Sequence, residues 1–139
     1  MEFPESQIIV IGKNPTKLSY FTFADRTYLR ETLTEPFEID HAFECCGGDG
    51  SYYAIDDIIR YINPQGTVML MGVSENKVAV NTRDILEKGI TAVGSSRSGR
   101  EDFLKAVEYL QDGRFCRRLE LIIYEDAKLS SVEDSNRLN

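Results

Sequence analysis

The chain has 139 residues, 42% hydrophobic and 28% charged, which is the usage of an ordinary globular protein long enough to bury one real core. Its 16 basic and 23 acidic side chains leave a formal charge of −7, which argues against phosphate-backbone binding and makes nucleic acid an unsuitable partner. No apolar run approaches the ~20 residues of a bilayer-spanning helix, and Met1-Glu2-Phe3-Pro4-Glu5 lacks the basic flank and apolar stretch of a signal peptide, so no membrane partner and a cytoplasmic location are expected.

Residues Gln7 to Ile11 form a continuous β-branched run, the pattern of a strand buried on both faces of a parallel sheet, and the run ends at Gly12. Asn14-Pro15 predicts a helix start, with Asn14 as N-cap, Pro15 at the first helical position, and Leu18, Phe21 and Phe23 on or near the buried side. Arg26 to Arg30 reads as a weak strand, and Glu31 to Ile39, without a clear period, as a loop.

A strand is expected over Ala42 to Cys45, then a helix from about Ser51 to Ile62 whose apolar positions Ala54, Ile55, Ile58, Ile59 and Ile62 make one wide stripe. Between them, Gly47, Gly48 and Gly50 could form a loop that lets a bound group approach the backbone, or could only supply a tight turn. Asn63-Pro64-Gln65-Gly66 predicts a turn ahead of the strand Thr67 to Met71, which stops at Gly72. Strand, helix and strand then imply parallel pairing with a right-handed crossover.

Asn81 to Asp84 offers cap chemistry for a short helix through Ile85 and Leu86, with Gly89 as its stop and Ile90 to Val93 as the next strand. Ser98 to Glu101 matches a capping box, and the helix it opens carries Phe103, Ala106, Val107 and Leu110 and should stop near Gly113. Leu119 to Tyr124 reads as a final strand, and Lys128 to Asn139 as a polar, frayed end.

Three strands thus end in small or glycine-rich loops, Cys45-Cys46-Gly47-Gly48, Gly72-Val73-Ser74 and Gly94-Ser95-Ser96, and parallel neighbours would bring all three to the sheet edge where nucleotide cofactors lie. Cys45, Cys46 and Cys116 are too few and too poorly spaced for a disulfide framework, and with His41 as the lone histidine a complete zinc site is not expected. Packing at the end of a buried strand is the favoured reading of Cys45 and Cys46, over a redox or metal pair. His41, ahead of that strand and away from the cofactor edge, reads as structural.

The runs His41 to Gly50, Ile59 to Thr67 and Met71 to Glu75, together with Asn-Thr-Arg-Asp, Glu-Lys-Gly and Gly-Ser-Ser-Arg-Ser-Gly-Arg between 81 and 100, resemble the cofactor domain of the ribulose-5-phosphate reductases. These enzymes, also called ribitol-5-phosphate dehydrogenases, are zinc-type medium-chain alcohol dehydrogenases that supply ribitol for teichoic acids and related capsule polymers. The resemblance spans roughly Ile8 to Tyr124 and implies an α/β, Rossmann-like parallel sheet with helices on both faces. The family's zinc-bearing catalytic domain has no counterpart here, and neither has the first strand with its Gly-x-Gly-x-x-Gly turn, so residues 1–115 would be a partial nucleotide-binding domain and 116–139 a return segment toward the catalytic domain.

Carried onto this sequence, the resemblance implies a cofactor site of Gly12, Lys13, Lys17, Cys46, Gly47, Gly48, Gly72, Val73, Gly94, Ser95 and Ser96. Lys13, at the end of the second strand of the fold, and Lys17, one helical turn on, suit the 2′-phosphate of NADP, the alternative being two solvated lysines. Arg97 and Arg100, ahead of a helix N-terminus, suit a phosphate of substrate or cofactor, with solvated surface arginine as the equal alternative. No catalytic or metal-ligating residue is assigned. The implied parent reaction is NADPH-dependent reduction of ribulose 5-phosphate with zinc polarising the carbonyl, this chain supplying cofactor binding without turnover of its own. A free-standing nucleotide-binding module and a pure interaction domain stay open, and a homodimer is expected through the strand at Ile90 to Val93. Without the first strand, the strands at Gln7 and Ala42 should pair directly or accept a strand from another copy.

Overall fold

The computed structural model describes residues 6–34, 37–120 and 122. The chain divides into two units, residues 34–99, and residues 1–33 together with 100–139.

The 34–99 unit is built on a three-stranded parallel sheet, β3 (Ile39–Glu44), β4 (Ile62–Leu70) and β5 (Thr91–Gly94), in the order β3-β4-β5. Helix α2 (Gly50–Tyr61) connects the first two strands and α3 (Thr82–Lys88) precedes the third. Burial follows the sequence periodicities: Ser51, Ile55 and Ile59 of α2 are buried, as are Ala42 and Glu44 of β3 and Val68 of β4. Ala42 and Val68 are register partners, so they share the face that α2 covers. Each fully buried branched side chain here is worth about 1.5–3 kcal/mol relative to exposure. Phe43, pointing to the opposite face of β3, is 68% exposed.

The cap signals of this unit take the expected form. The Asn81 side chain accepts the Asp84 N–H, and Gly89 closes α3 in the left-handed region at φ 63°. The turn expected at Asn63-Pro64-Gln65-Gly66 is instead absorbed into β4. Ile62 pairs with Ile39 and Thr67 with His41, so four residues face the single Asp40 as an irregularity in the ladder. Gln65 adopts φ 63° within it, and the Asn63 amide donates to Asp40 Oδ1 at 2.9 Å. Pairing with β3 on both sides of the irregularity keeps these residues in the strand.

In the other unit, β1 (Ile9–Gly12) and β2 (Arg26–Leu29) form a two-stranded parallel sheet, in register from Ile9 and Arg26 to Gly12 and Leu29. Its start is fixed by Asp25, whose carboxylate accepts the Ile8 N–H at 2.6 Å while its own N–H donates to Ile8 O at 2.9 Å. Asn14 caps the short helix α1 (Pro15–Leu18) by accepting the Lys17 N–H at 3.0 Å, with Pro15 at the first turn as expected. Leu18 is buried, and Phe21 and Phe23 follow in a turn with ring centroids 5.9 Å apart. A 3₁₀ turn (Arg30–Thr32) follows β2.

Helices α4 (Arg100–Leu110) and α5 (Gly113–Glu120) belong to the same unit. α4 begins one residue later than Ser98 as a cap would place it, and Tyr109 meets Phe115 of α5 with ring centroids 5.8 Å apart. Leu119 and Glu120, expected to open a strand, are helical. Asp112 accepts the Arg114 N–H at 2.8 Å and so starts a helix, which the arginines, Leu119 and Glu120 favour, and Ile122 N–H continues the coil by donating to Leu119 O at 2.9 Å. The rest of that expected strand, and the polar end from Lys128, lie outside the described residues.

Among the described residues the strand at Gln7, expected to pair with the one at Ala42 or with another copy, is laddered as β1 to β2, and the one at Ala42 as β3 to β4. Among the described residues no helix is long and apolar enough to cross a membrane.

Candidate functional site

Parallel register brings the three strand ends of the 34–99 unit into line. Glu44 pairs with Leu70 and Leu70 with Gly94, so the segments that follow, from Cys45, Met71 and Ser95, leave one edge of the sheet together. This is the carboxyl edge, where ligands of open α/β sheets lie. Ser95 N–H donates to Leu70 O at 3.0 Å and carries the third loop against the second strand end.

The centre of this edge is a residue that sequence reasoning missed. Glu44 is only 2% exposed, and four donors converge on its carboxylate. Oε1 accepts from Cys46 N–H at 2.9 Å, Gly47 N–H at 3.3 Å and the Ser51 hydroxyl at 3.0 Å, and Oε2 accepts from Gly72 N–H at 3.0 Å. A buried carboxylate is costly unless it is hydrogen-bonded, and here both oxygens accept. The Glu44 backbone carbonyl also accepts from Met71 and Gly72, both at 2.9 Å, and Gly48 N–H reaches across to Val73 O at 2.8 Å. One side chain thereby ties the loop after β3, the loop after β4 and the first turn of α2.

The glycines at 47 and 72 are required by this closeness. A Cβ on Gly72 would stand 2.5 Å from Glu44 Oε1 and 2.5 Å from Gly47 N. Gly47, at φ 67°, would press a Cβ to 2.9 Å from Val73 O. Gly48 and Gly94 differ, since a Cβ at either would meet nothing within 4 Å, leaving free room on the loop surface.

Of the residues expected at a cofactor site, Cys46, Gly47, Gly48, Gly72 and Val73 are joined by these bonds, with Gly94 and Ser95 at the aligned end of β5. Val73 is 82% exposed, and Ser96 and Arg97 are exposed as well, Arg97 at φ 69°. Gly12, Lys13, Lys17 and Arg100 belong to the other unit, where both lysines are exposed and Gly12 lies against the Leu18 side chain.

Cys45 and Cys46 do not pack as expected; both are exposed. The buried place at the strand end is taken by Glu44, and the Cys46 N–H turns inward to it. His41 lies within β3 opposite Thr67 and is exposed. Among the described residues no three His, Cys, Asp or Glu side chains are grouped to hold a metal ion.

Lys88, also missed, sits at the far end of α2. Its ammonium donates to the carbonyls of Ile59, Arg60 and Ile62 at 2.7, 2.9 and 3.0 Å, closing the helix terminus that α3 approaches. α2 is therefore anchored at its start by Ser51 to Glu44 and at its end by Lys88. Glu44 was legible only as an acidic residue two positions after Ala42, on the buried face of a strand and shortly before Gly47, whose N–H reaches its carboxylate.

A model of the zinc-binding dehydrogenases matches residues 7–112. The ribulose-5-phosphate reductase of Streptococcus pneumoniae is 50% identical over 135 residues, which are 97% of this chain and 39% of that protein. The chain thus spans 39% of the length of this curated relative. The crystal structure of Staphylococcus aureus TarJ is similar at a TM-score of 0.86 and 44% identity, over 98% of this chain and 44% of that one. A second TarJ structure, in complex with NADPH, matches with the same TM-score of 0.86 over 97% of this chain and 43% of that one.

Proposed function

The chain belongs to the zinc-binding dehydrogenase family, and from that premise we propose that it is the cofactor-binding portion of an NADPH-dependent reductase that converts ribulose 5-phosphate to ribitol 5-phosphate. The observation that carries this reading is the 50% identity to a ribulose-5-phosphate reductase over 97% of the chain. Cytoplasmic NADPH and a homodimer formed through β5 complete the proposal. β5 pairs only with β4 among the described residues, and its Val93 is 40% exposed, so its other edge is open to a second copy.

When bound, NADPH supplies the hydride that reduces the keto carbon of the sugar phosphate. The chain's own part is to hold and orient it. Gly48, Gly94, Ser95 and Ser96 offer the nicotinamide and its ribose a surface with little side-chain bulk, and Val73 adds an exposed apolar contact. Lys13 and Lys17 are assigned to the 2′-phosphate, and Arg97 and Arg100 to a phosphate of substrate or cofactor. Among the described residues no three His, Cys, Asp or Glu side chains are grouped to hold zinc, and this chain is assigned no metal ligand. Turnover is assigned to the longer protein, whose ribitol phosphate would serve teichoic acid or capsule polymers.

Titrating the purified chain with NADPH and NADH, followed by nicotinamide fluorescence, tests the reading. NADPH should bind at least about tenfold more tightly, since one charge-assisted phosphate contact is worth 1.5 kcal/mol or more. Lys13→Ala with Lys17→Ala should erase the difference. Equal affinity for the two nucleotides in the unmodified chain, or binding of neither, would sink the proposal.

A further inference from the structure

The N–H groups of Cys46, Gly47 and Gly72 and the Ser51 hydroxyl aim at one point, the arrangement by which glycine-rich loops hold a phosphate or carboxylate from solution. In this chain the point is occupied by Glu44. We propose that the cradle is an anion site filled from within, with the Glu44 carboxylate as its resident anion, and that this occupation denies the seat to cofactor phosphates and leaves the edge to the uncharged dihydronicotinamide ring and its ribose. The second part rests on the NADPH reading given above; the anion site itself does not.

Three features separate such a seat from ordinary packing. The neighbouring buried position on the same face of β3 is Ala42, so an apolar residue at 44 would continue the core without any cost of burying a carboxylate. All four donors to the Glu44 carboxylate come from loop or helix-start positions at the strand ends, Gly72 N–H being shared with the Glu44 backbone carbonyl. Gly47 and Gly72 leave no room for side chains, so the loops close around the carboxylate as they would around a ligand. With these donors turned toward Glu44, the Cys46, Gly47 and Gly72 N–H groups and the Ser51 hydroxyl are engaged within the chain.

The substitution that exposes the seat also defines its probe. Glu44→Ala keeps Cβ and removes two carbons and two oxygens, the heavy atoms of acetate. In the full chain carrying Glu44→Ala, the amide resonances of Gly47 and Gly72 should move away from their original positions. Added acetate should draw them back, with half-saturation on the order of 10 mM for a small carboxylate held by several hydrogen bonds. Acetamide, equal in shape but neutral and partly a donor, should do nothing, and sodium chloride at the same ionic strength should not substitute.

If the variant is unfolded in acetate-free buffer, the readout becomes recovery of far-ultraviolet circular dichroism by acetate and not by acetamide. Resonances unmoved by the substitution, or acetate acting no better than acetamide in either situation, overturn the anion site. NADPH titration of the same proteins separates the two readings. A wild-type chain that binds no NADPH removes the cofactor proposal and leaves the acetate result to decide the seat. Where the wild type binds, acetate should restore at least about tenfold of the NADPH affinity lost by the variant, the scale of one charge-assisted interaction. Restored loops without restored affinity remove the orienting role.

Discussion

Replacing Gly72 with alanine tests the closed edge at its tightest point. The new Cβ would lie 2.5 Å from Glu44 Oε1, 2.5 Å from Gly47 N and 2.6 Å from Glu44 Oε2, about 1 Å inside the carbon contact distances of a well-packed interior. The carboxylate cannot swing aside at little cost, because it is buried and held from three segments. Relief therefore needs backbone movement, costing about 1–3 kcal/mol as overpacking, and the loss of at least the Gly72 bond, worth about 1.5–3 kcal/mol to a charged acceptor. The sum, about 2.5–6 kcal/mol, is a large part of the roughly 5–15 kcal/mol by which domains are stable. In urea, with a slope of about 2 kcal/mol per molar, the unfolding midpoint should fall by about 2 M. Gly48→Ala is the control: φ is 54° there but nothing lies within 4 Å, so only the left-handed strain of about 1 kcal/mol is expected. Because Glu44→Ala removes the obstructing atoms, the double variant should be less impaired than the two losses added, by about 1 kcal/mol or more. A Gly72→Ala shift no larger than that of Gly48→Ala, or losses that simply add, would refute the placement of the carboxylate against Gly72.

Lys88→Met keeps the stem of the side chain and removes three hydrogen bonds to the end of α2; thermal unfolding should report a loss of about 2 kcal/mol, discounted for the partly exposed site. Gln65→Gly should raise stability by about 0.5 kcal/mol in the same assay, since φ 63° strains a residue with a Cβ, an effect partly offset by the freer unfolded chain. The Arg114 N–H, backed by its side chain at 3.5 Å, holds the Asp112 carboxyl below its ordinary value. A folded pKa below the unfolded one means that this support for α5 is present above the ordinary carboxylate range and is lost as pH falls through the folded value. Helical circular dichroism should therefore drop more between about pH 5 and pH 2 in the wild type than in Asp112→Asn, whose cap does not titrate. Equal drops would show that Asp112 does not cap α5.

What was legible in the sequence shares one physical character: it is short-range. Asn14-Pro15, the Asn81 cap and the Gly89 stop each act within one helical turn, and each is found as read. The aligned strand ends were legible because parallel register turns three local stop signals into one edge. The misses are the places where a distant partner decides. Asn63 to Gly66 has turn chemistry, yet strand pairing to Ile39 and His41 on either side draws it into the ladder. Leu119 and Glu120 open an apolar run that suits a strand, but Asp112, seven residues before Leu119, has already started a helix. Glu44 depends on a donor 28 residues away, and no local pattern marks an acidic residue as the buried centre of three segments. The same distance explains why the two cysteines drew notice and Glu44 did not. A thiol pair is conspicuous alone, whereas a carboxylate acquires its meaning only when folding delivers Gly72 to it. Its position follows from the alternation of β3: Ala42 faces α2, so residue 44 must face it too, and an acidic residue held there has to find donors in whatever loops close over the strand end.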